Sequence, residues 1–422
     1  MKNRAFVTML VVLLLASMMA VAASVSAQPL DVWVPTQYAT IQDGVNAVAE
    51  GGTVHVKPGT YYEHVSINKP LTLAGTILRK CIIDGSGVGT VVGVTDTQGV
   101  KISGFTIQHG GTSFPEAGIL LWNADRSKLA NLDVRSNGGY GIFTQYSEYV
   151  VIADVNTHSN GAEGIALGQS PSHSIIRGVN SYSNLQGITV YDGPTNVTIK
   201  DCNVYSNTQN GIILGWTSNG LVSNCRAWSN GFTGINLEAS SSSTVENCIS
   251  KSNGYHGIGI AVCWGGNTIT CSQAFNNQYS GLYLGAADGC TIEKCVSSFN
   301  GEGISLWDGF WGIVGRNNVI TENVVSKNGV GMRINAPCQY NSIYHNKFLS
   351  NKNQALDDGV GNLWDNGYPS GGNYWSDYNG RDRYSGPGQN LPGRDGIGDI
   401  SYVILGTAGS TDRYPLIRFC WR

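Results

Sequence analysis

A two-residue pattern, Gly followed by an aliphatic residue, returns ten times between residues 118 and 332, and its spacing leaves few folds open. The anchors are Gly118-Ile119, Gly141-Ile142, Gly164-Ile165, Gly187-Ile188, Gly211-Ile212, Gly234-Ile235, Gly257-Ile258, Gly281-Leu282, Gly303-Ile304 and Gly331-Met332. All steps are 22–24 residues except the last, which is 28. A fixed period of this length marks a stack of units, each burying its apolar side against its neighbours. After each anchor the residues alternate with period 2, as in Ile235-Asn236-Leu237, so they read as strand. A second short strand follows in each turn, as at Cys225-Arg226-Ala227, and no segment is long enough for a crossover helix. The chain is therefore predicted to be all-β: a right-handed parallel β-helix of roughly a dozen rungs, about 60 Å long at 4.8 Å per rung.

Two further columns keep step with the anchors. Asn recurs at 137, 160, 184, 207, 230, 253, 277, 300 and 328. Asn tolerates the left-handed backbone of a sharp turn, and stacked amides can bond along the axis. Cys recurs at 202, 225, 248, 271 and 295, where earlier turns carry Leu132, Val155 and Val179. That alternation predicts an inward column of reduced thiols. Parallel neighbours hold their Cβ atoms near the strand spacing, beyond disulfide reach. Cys263, Cys290, Cys338 and Cys420 lie off this column, and their pairing stays open.

The ends read differently. Residues 1–27 have the form of a signal peptide: Lys2 and Arg4, an apolar run from Phe6 to Ala23, then Val25-Ser26-Ala27. Its removal leaves 24 basic and 29 acidic side chains, a weakly acidic chain with no basic stripe for nucleic acid. No later run is apolar and long enough to span a membrane. The expected location is secreted, periplasmic or cell-surface. Residues 28–352 form the predicted β-helix, opened by a cap helix with Ile41, Val45 and Val48 at helical spacing after Thr40. Residues 353–422, rich in Gly, Asp, Tyr and Trp, form the predicted irregular C-terminal cap.

The repeat register also sorts the outward face. Columns beside the anchors carry Trp122, Phe143, Tyr191, Trp216, Tyr283 and Trp307 together with Asp192, Asp308 and Arg333. Exposed aromatics can stack on the apolar faces of sugar rings, and charged groups can bond hydroxyls. These nine residues are the candidate groove for a polysaccharide or surface glycan, or for an envelope protein partner. The competing reading is that the aromatics pack beneath long turn loops. His256, with Glu238 assigned to the adjacent rung, is the candidate acid–base pair.

Both ends resemble known sequences. Tyr38-Ala39-Thr40-Ile41-Gln42, Pro58-Gly59-Thr60-Tyr61 and Ile83-Asp84-Gly85 look like the start of pectin-lyase-like β-helices. Gly372-Asn373-Tyr374-Trp375-Ser376-Asp377-Tyr378, Asp395-Gly396-Ile397-Gly398-Asp399 and Asp412-Arg413-Tyr414-Pro415-Leu416 resemble NosD-like proteins, periplasmic or surface β-helices common in archaea and carrying the carbohydrate-binding and sugar-hydrolase repeat. The family's namesake assists copper-site maturation in nitrous oxide reductase, so the resemblance implies a copper-enzyme maturation factor as one alternative. The residues argue against copper binding here: seven scattered His with no His-x-His, and Met332 as the single Met after residue 27. Polysaccharide lyase, hydrolase or epimerase activity is the other alternative. However, the Asn-Thr-Asp and Gly-His-Gly motifs of polygalacturonases and the Asp-Pro-His of alginate epimerases are missing. The sequence thus favours binding over catalysis. In the tail, Asp382, Asp395 and Asp399 resemble the family's Asp-rich element, which implies a Ca²⁺ loop; solvated Asp in Gly-rich turns is the other reading.

Overall fold

The computed structural model describes residues 28–308 and 314–418. The signal-peptide expectation and Cys420 fall outside them. The chain coils into a parallel β-helix with three strands per turn. One sheet holds the anchors: 13 strands from Val65–Ile67 to Asn353–Asp357, stacked in chain order. Its register follows the period, with Ile212 opposite Ile235 and Ile235 opposite Ile258. The second face is built of strands such as Leu221–Ser223 and Thr244–Glu246, and the third of strands such as Arg226–Trp228 and Ile249–Lys251. The long strands Lys128–Arg135 and Val151–His158 run across both of these faces and join them into one 26-stranded sheet. The second-face strands were not foreseen. From Ile175–Arg177 onward each is three residues long with its middle residue inward, such as Val222 or Val245, too short for alternation to show.

Close approach at the corner explains the anchors. A Cβ on Gly211 would lie 2.4 Å from the carbonyl oxygen of Gly234 and 2.9 Å from Nδ2 of Asn230. Only Gly lets the corner amide and the next rung come so near. The Asn column is continuous from Asn137 to Asn351 and buried. Each Oδ1 accepts from the backbone N–H of the Asn one rung earlier, as Asn253 does from Asn230 at 3.1 Å. Each corner N–H, which no strand pairing reaches, is thereby satisfied. Two shorter columns do the same at the other corners: Asn318, Asn341 and Asn362, and Asn323, Asn346 and Asn373.

The Cys column needs one correction. Cys202, Cys225, Cys248 and Cys295 are buried, and each donates its S–H to a backbone carbonyl. Cys271 is instead exposed, at a corner with φ +48°. Ile249 pairs with Gln273, so this turn carries one extra residue and Ser272 takes the inward place. Cys263, Cys290 and Cys338 are buried free thiols.

Both ends are closed. The helix α1, Ile41–Ala47, is capped by Thr40, whose hydroxyl accepts from the Asp43 N–H at 3.0 Å, and buries Ile41 and Val45. At the other end the coil outlasts the period, because Asn353–Asp357 still pairs in the anchor sheet and Tyr374–Trp375 pairs with Lys347 and Phe348. Beyond it Phe348, Trp375 and Tyr402 stack in series, at 4.5 and 4.2 Å between ring centroids, and plug the core. Asp412, fully buried, accepts from the Trp375 indole N–H at 2.9 Å and the Asn373 N–H at 2.7 Å. Burial pushes its carboxyl up to about 7.

Candidate functional site

The register of the outward columns is as read from the repeat: Phe143, Ala166 and Thr189 lie in one row, and Gly285 and Trp307 in the next. Exposure divides them. Phe143 is fully buried, stacked on Tyr140 at 4.4 Å and met edge-on by Phe114 at 5.7 Å. With Ala117 and Ala166 it forms a small outer core, against which half-buried Tyr191 packs. For Phe143, then, the packing alternative holds: the loop carrying Phe114 covers it. Trp122 is half-buried beside Tyr146, and Trp216 is exposed. Asp192 is exposed and accepts from the Gln169 amide at 3.1 Å, and Asp308 is exposed. These residues are spread along the face and do not form one site with the others.

A cleft of about 590 Å³ gathers the C-terminal members. Tyr255, Tyr279, Tyr283 and Trp307 form aromatic walls, and Glu302 and Arg333 add an ion pair through Arg333 Nε and Glu302 Oε1. Tyr255 and Tyr279 were missed from the sequence. Their signal is an aromatic two residues after the corner Asn, present at Phe232, Tyr255 and Tyr279. All three are about half exposed, because the residue after the corner points away from the coil.

His256 lies in the cleft wall, nearly buried, its ring stacked on Tyr283 at 4.1 Å. The Ser280 N–H donates to its Nδ1 at 3.3 Å, which assigns the imidazole proton to Nε2. That Nε2 is buried with no partner among the described residues. Burial depresses its pKa to about 4, so the ring is neutral at pH 7 and offers an N–H donor. Burial likewise pushes the Tyr283 hydroxyl up to about 12. Glu238 is not beside His256. It pairs with Ala261, five residues further along the strand, roughly 17 Å away at 3.3 Å per residue. The carboxylate in the His256 column is Glu302, two rungs on and committed to Arg333. The structure thus replaces the proposed acid–base pair with a donor and an ion pair.

The depressed His256 pKa makes a pH prediction. The unfolded chain takes up the imidazole proton near pH 6.5 and the folded chain only near 4, so stability is lost as pH falls through this window. Between pH 7 and 5 the protein should lose about 2 kcal/mol more than His256→Gln does. Urea unfolding of both proteins at the two pH values checks it; equal losses would contradict the buried neutral ring.

The tail carboxylates do not converge on a cation. Asp382 accepts from the N–H groups of Asp395 and Gly396, Asp399 from those of Arg383 and Tyr384, and Asp395 from that of Ile397. Asp382 also sits in a depression lined by Arg381, Arg383, Arg394 and Arg418, an unfavourable field for Ca²⁺. The carboxylates staple the loops instead. Copper fits no better. Among the described residues no three His, Cys, Asp or Glu side chains are grouped to hold a metal. Met332 is inside the core, the neighbouring Cys225 thiol together with burial raises the pKa of Cys202, and burial raises that of Cys295, disfavouring the thiolate that copper would need.

Known proteins bear on this geometry in two ways. In solved structures the coil resembles the A-modules of the mannuronan C-5 epimerases AlgE4 and AlgE6 of Azotobacter vinelandii. Both have a TM-score of 0.60, at 16% and 18% identity, over 76% of this chain and 94% and 92% of theirs. It also resembles the Dettilon tailspike protein, TM-score 0.51 at 15% identity, over 82% of this chain and 68% of that one. At such identity the likeness is one of fold. No curated protein sequence matches the chain significantly. The family profile described as periplasmic copper-binding protein (NosD) matches residues 45–269 and 186–380, overlapping spans that together cover most of the coil. With that match, the three-sided coil and the stacked corner amides, the chain belongs to the NosD family of parallel β-helix proteins.

Proposed function

We propose that this protein binds an extended polysaccharide along its anchor face, outside the cytoplasm, with the cleft between Tyr255 and Trp307 as the central subsite. The observation that carries the reading is the combination in that cleft: four aromatic side chains, the Glu302–Arg333 pair and the unpartnered His256 N–H. Aromatic faces take the apolar side of a sugar ring, while the charged pair and the imidazole donor bond hydroxyls. A long ligand suits a face whose strands repeat every rung, about 4.8 Å. Among the described residues no helix is long and apolar enough to cross a membrane. The fold relatives named as epimerases act on mannuronan, so uronate polymers are the first to try.

The test is affinity electrophoresis through gels holding alginate, polygalacturonate or a neutral glucan. At least one polymer should retard the protein, and Trp307→Ala should weaken retention about tenfold, on the order of 1.4 kcal/mol. No retardation by any of these, or retardation unchanged in Trp307→Ala, would sink the proposal. Turnover is the second reading, resting on His256, Tyr283 and Arg333 sharing the cleft. Assay of the same polymers for unsaturated or reducing ends separates the two, and binding without new ends is the expected result.

A further inference from the structure

On the third face, away from the anchor cleft, four rings stack in one column. His158, Tyr182, Tyr205 and Trp228 occupy successive rungs, with centroids 4.6, 4.9 and 4.4 Å apart and planes within 7° of parallel. Rings stacked along the axis cover each other's inner faces, so only the two end rings keep an outer face; Arg135 lies in the column beyond His158, and Trp228 is the other end. The next rung carries Lys251 in this column and the one after it Phe275. Trp228 and Phe275 are therefore two rungs apart, about 10 Å. Stacked rings sit about 4.5–5 Å apart, so the span has the length for one further ring at the spacing of the ladder, once the Lys251 side chain on the intervening rung swings aside. A cleft of about 420 Å³ lies there, lined by Arg226, Trp228, Ile249, Lys251 and Phe275.

The charge of this cleft is distinctive. Neither Arg226 nor Lys251 makes an ion pair among the described residues. Lys251 leans over the Phe275 ring at 5.9 Å. The two outward columns from Asn180 to Ser298 hold these two cations and no carboxylate, in a chain of net charge −3. Asn203 and Gln273 flank Arg226 and Ile249 in the neighbouring column and supply amides for hydroxyls.

We infer that the Trp228–Phe275 gap is a second ligand site, for a pyranose ring bearing a negative substituent. The ring continues the aromatic ladder, its carboxylate meets Arg226 and Lys251, and its hydroxyls reach the flanking amides. The site lies on a different face from the anchor cleft and does not depend on it.

Calorimetric titration of the full chain tests this, using Trp307→Ala protein so that the anchor cleft contributes little. Trigalacturonate is the carboxylated probe, maltotriose the neutral one and benzoate the planar acid. Trigalacturonate should bind at least tenfold more tightly than the other two. Adding Trp228→Ala, or Arg226→Ala with Lys251→Ala, should each weaken it at least tenfold, while Trp228→Tyr, which keeps a ring, should retain most of the affinity. Circular dichroism of each variant confirms the coil. Unchanged affinity in Trp228→Ala would overturn the site. Equal binding of maltotriose would overturn the role of charge, and tighter binding of benzoate would overturn a sugar as the occupant.

Discussion

Replacing Asn230 by Ala should lower the free energy of unfolding by roughly 3–5 kcal/mol, although the residue touches no proposed ligand. Asn230 is 2% exposed. Its Oδ1 accepts from the Asn207 N–H at 3.2 Å and the Asn207 amide at 3.0 Å, and its Nδ2 donates to the Val204 carbonyl and to Asn253 Oδ1, both at 3.1 Å. Ala strands at least two backbone groups inside the corner, and each buried group left unpaired costs about 1–3 kcal/mol. Asn230→Asp keeps the acceptor but loses the donors, so it should also destabilise. The urea midpoint should fall with the slope unchanged, and hydrogen exchange should rise first in the rungs on either side, because a solenoid is held by nearest neighbours. A loss below about 1 kcal/mol would mean that water replaces the column and that the Asn repeat is not what fixes the corner.

The second large effect is expected at the C-terminal plug. Trp375→Ala should cost on the order of 3–5 kcal/mol, the range for removing a buried large aromatic. Trp375 is 2% exposed, lies between Phe348 and Tyr402, and donates to Asp412. Its loss opens the end of the core and takes a donor from a buried carboxyl already held up to about 7 by burial. Trp375→Phe separates the two contributions: it keeps the stack and removes the N–H, and should cost about 1–3 kcal/mol. Thermal unfolding of both variants checks the order. If Phe proved as damaging as Ala, the hydrogen bond rather than the plug would hold the cap.

Period and column carried most of the fold. Gly-Ile anchors, corner Asn and inward Cys are side chains under one repeated constraint, and that constraint shows at each recurrence. The short second-face strands escaped because one inward residue per strand, such as Val222, shows no alternation, although Ile176, Ile199, Val222, Val245 and Ile269 keep the repeat period. Cys271 misled because it keeps the 23-residue step from Cys248, although it lies six residues before Asn277 where the other Cys lie five before their Asn; the register of Gln273 against Ile249 agrees with that offset. The candidate site was legible in part. Tyr283, Trp307, Arg333 and His256 were found from their columns, and the cleft joins them. Phe143 failed because a loop 29 residues earlier covers it, a contact no repeat encodes. Glu238 failed because a residue can be one turn away from His256 in sequence and still be five residues along the strand. The third-face ladder went unnoticed because its aromatics occupy only successive rungs 158–228, a short column beside a more regular one.

The claim that the anchor face is the binding surface has one direct test. Hydrogen exchange of the protein should be compared with and without the polysaccharide that retards it most in affinity electrophoresis. Protection is predicted in the rungs between Tyr255 and Asn353 that line the cleft, and should be lost in Trp307→Ala. Protection confined to the third face or to the C-terminal cap, with the cleft rungs unchanged, would contradict it.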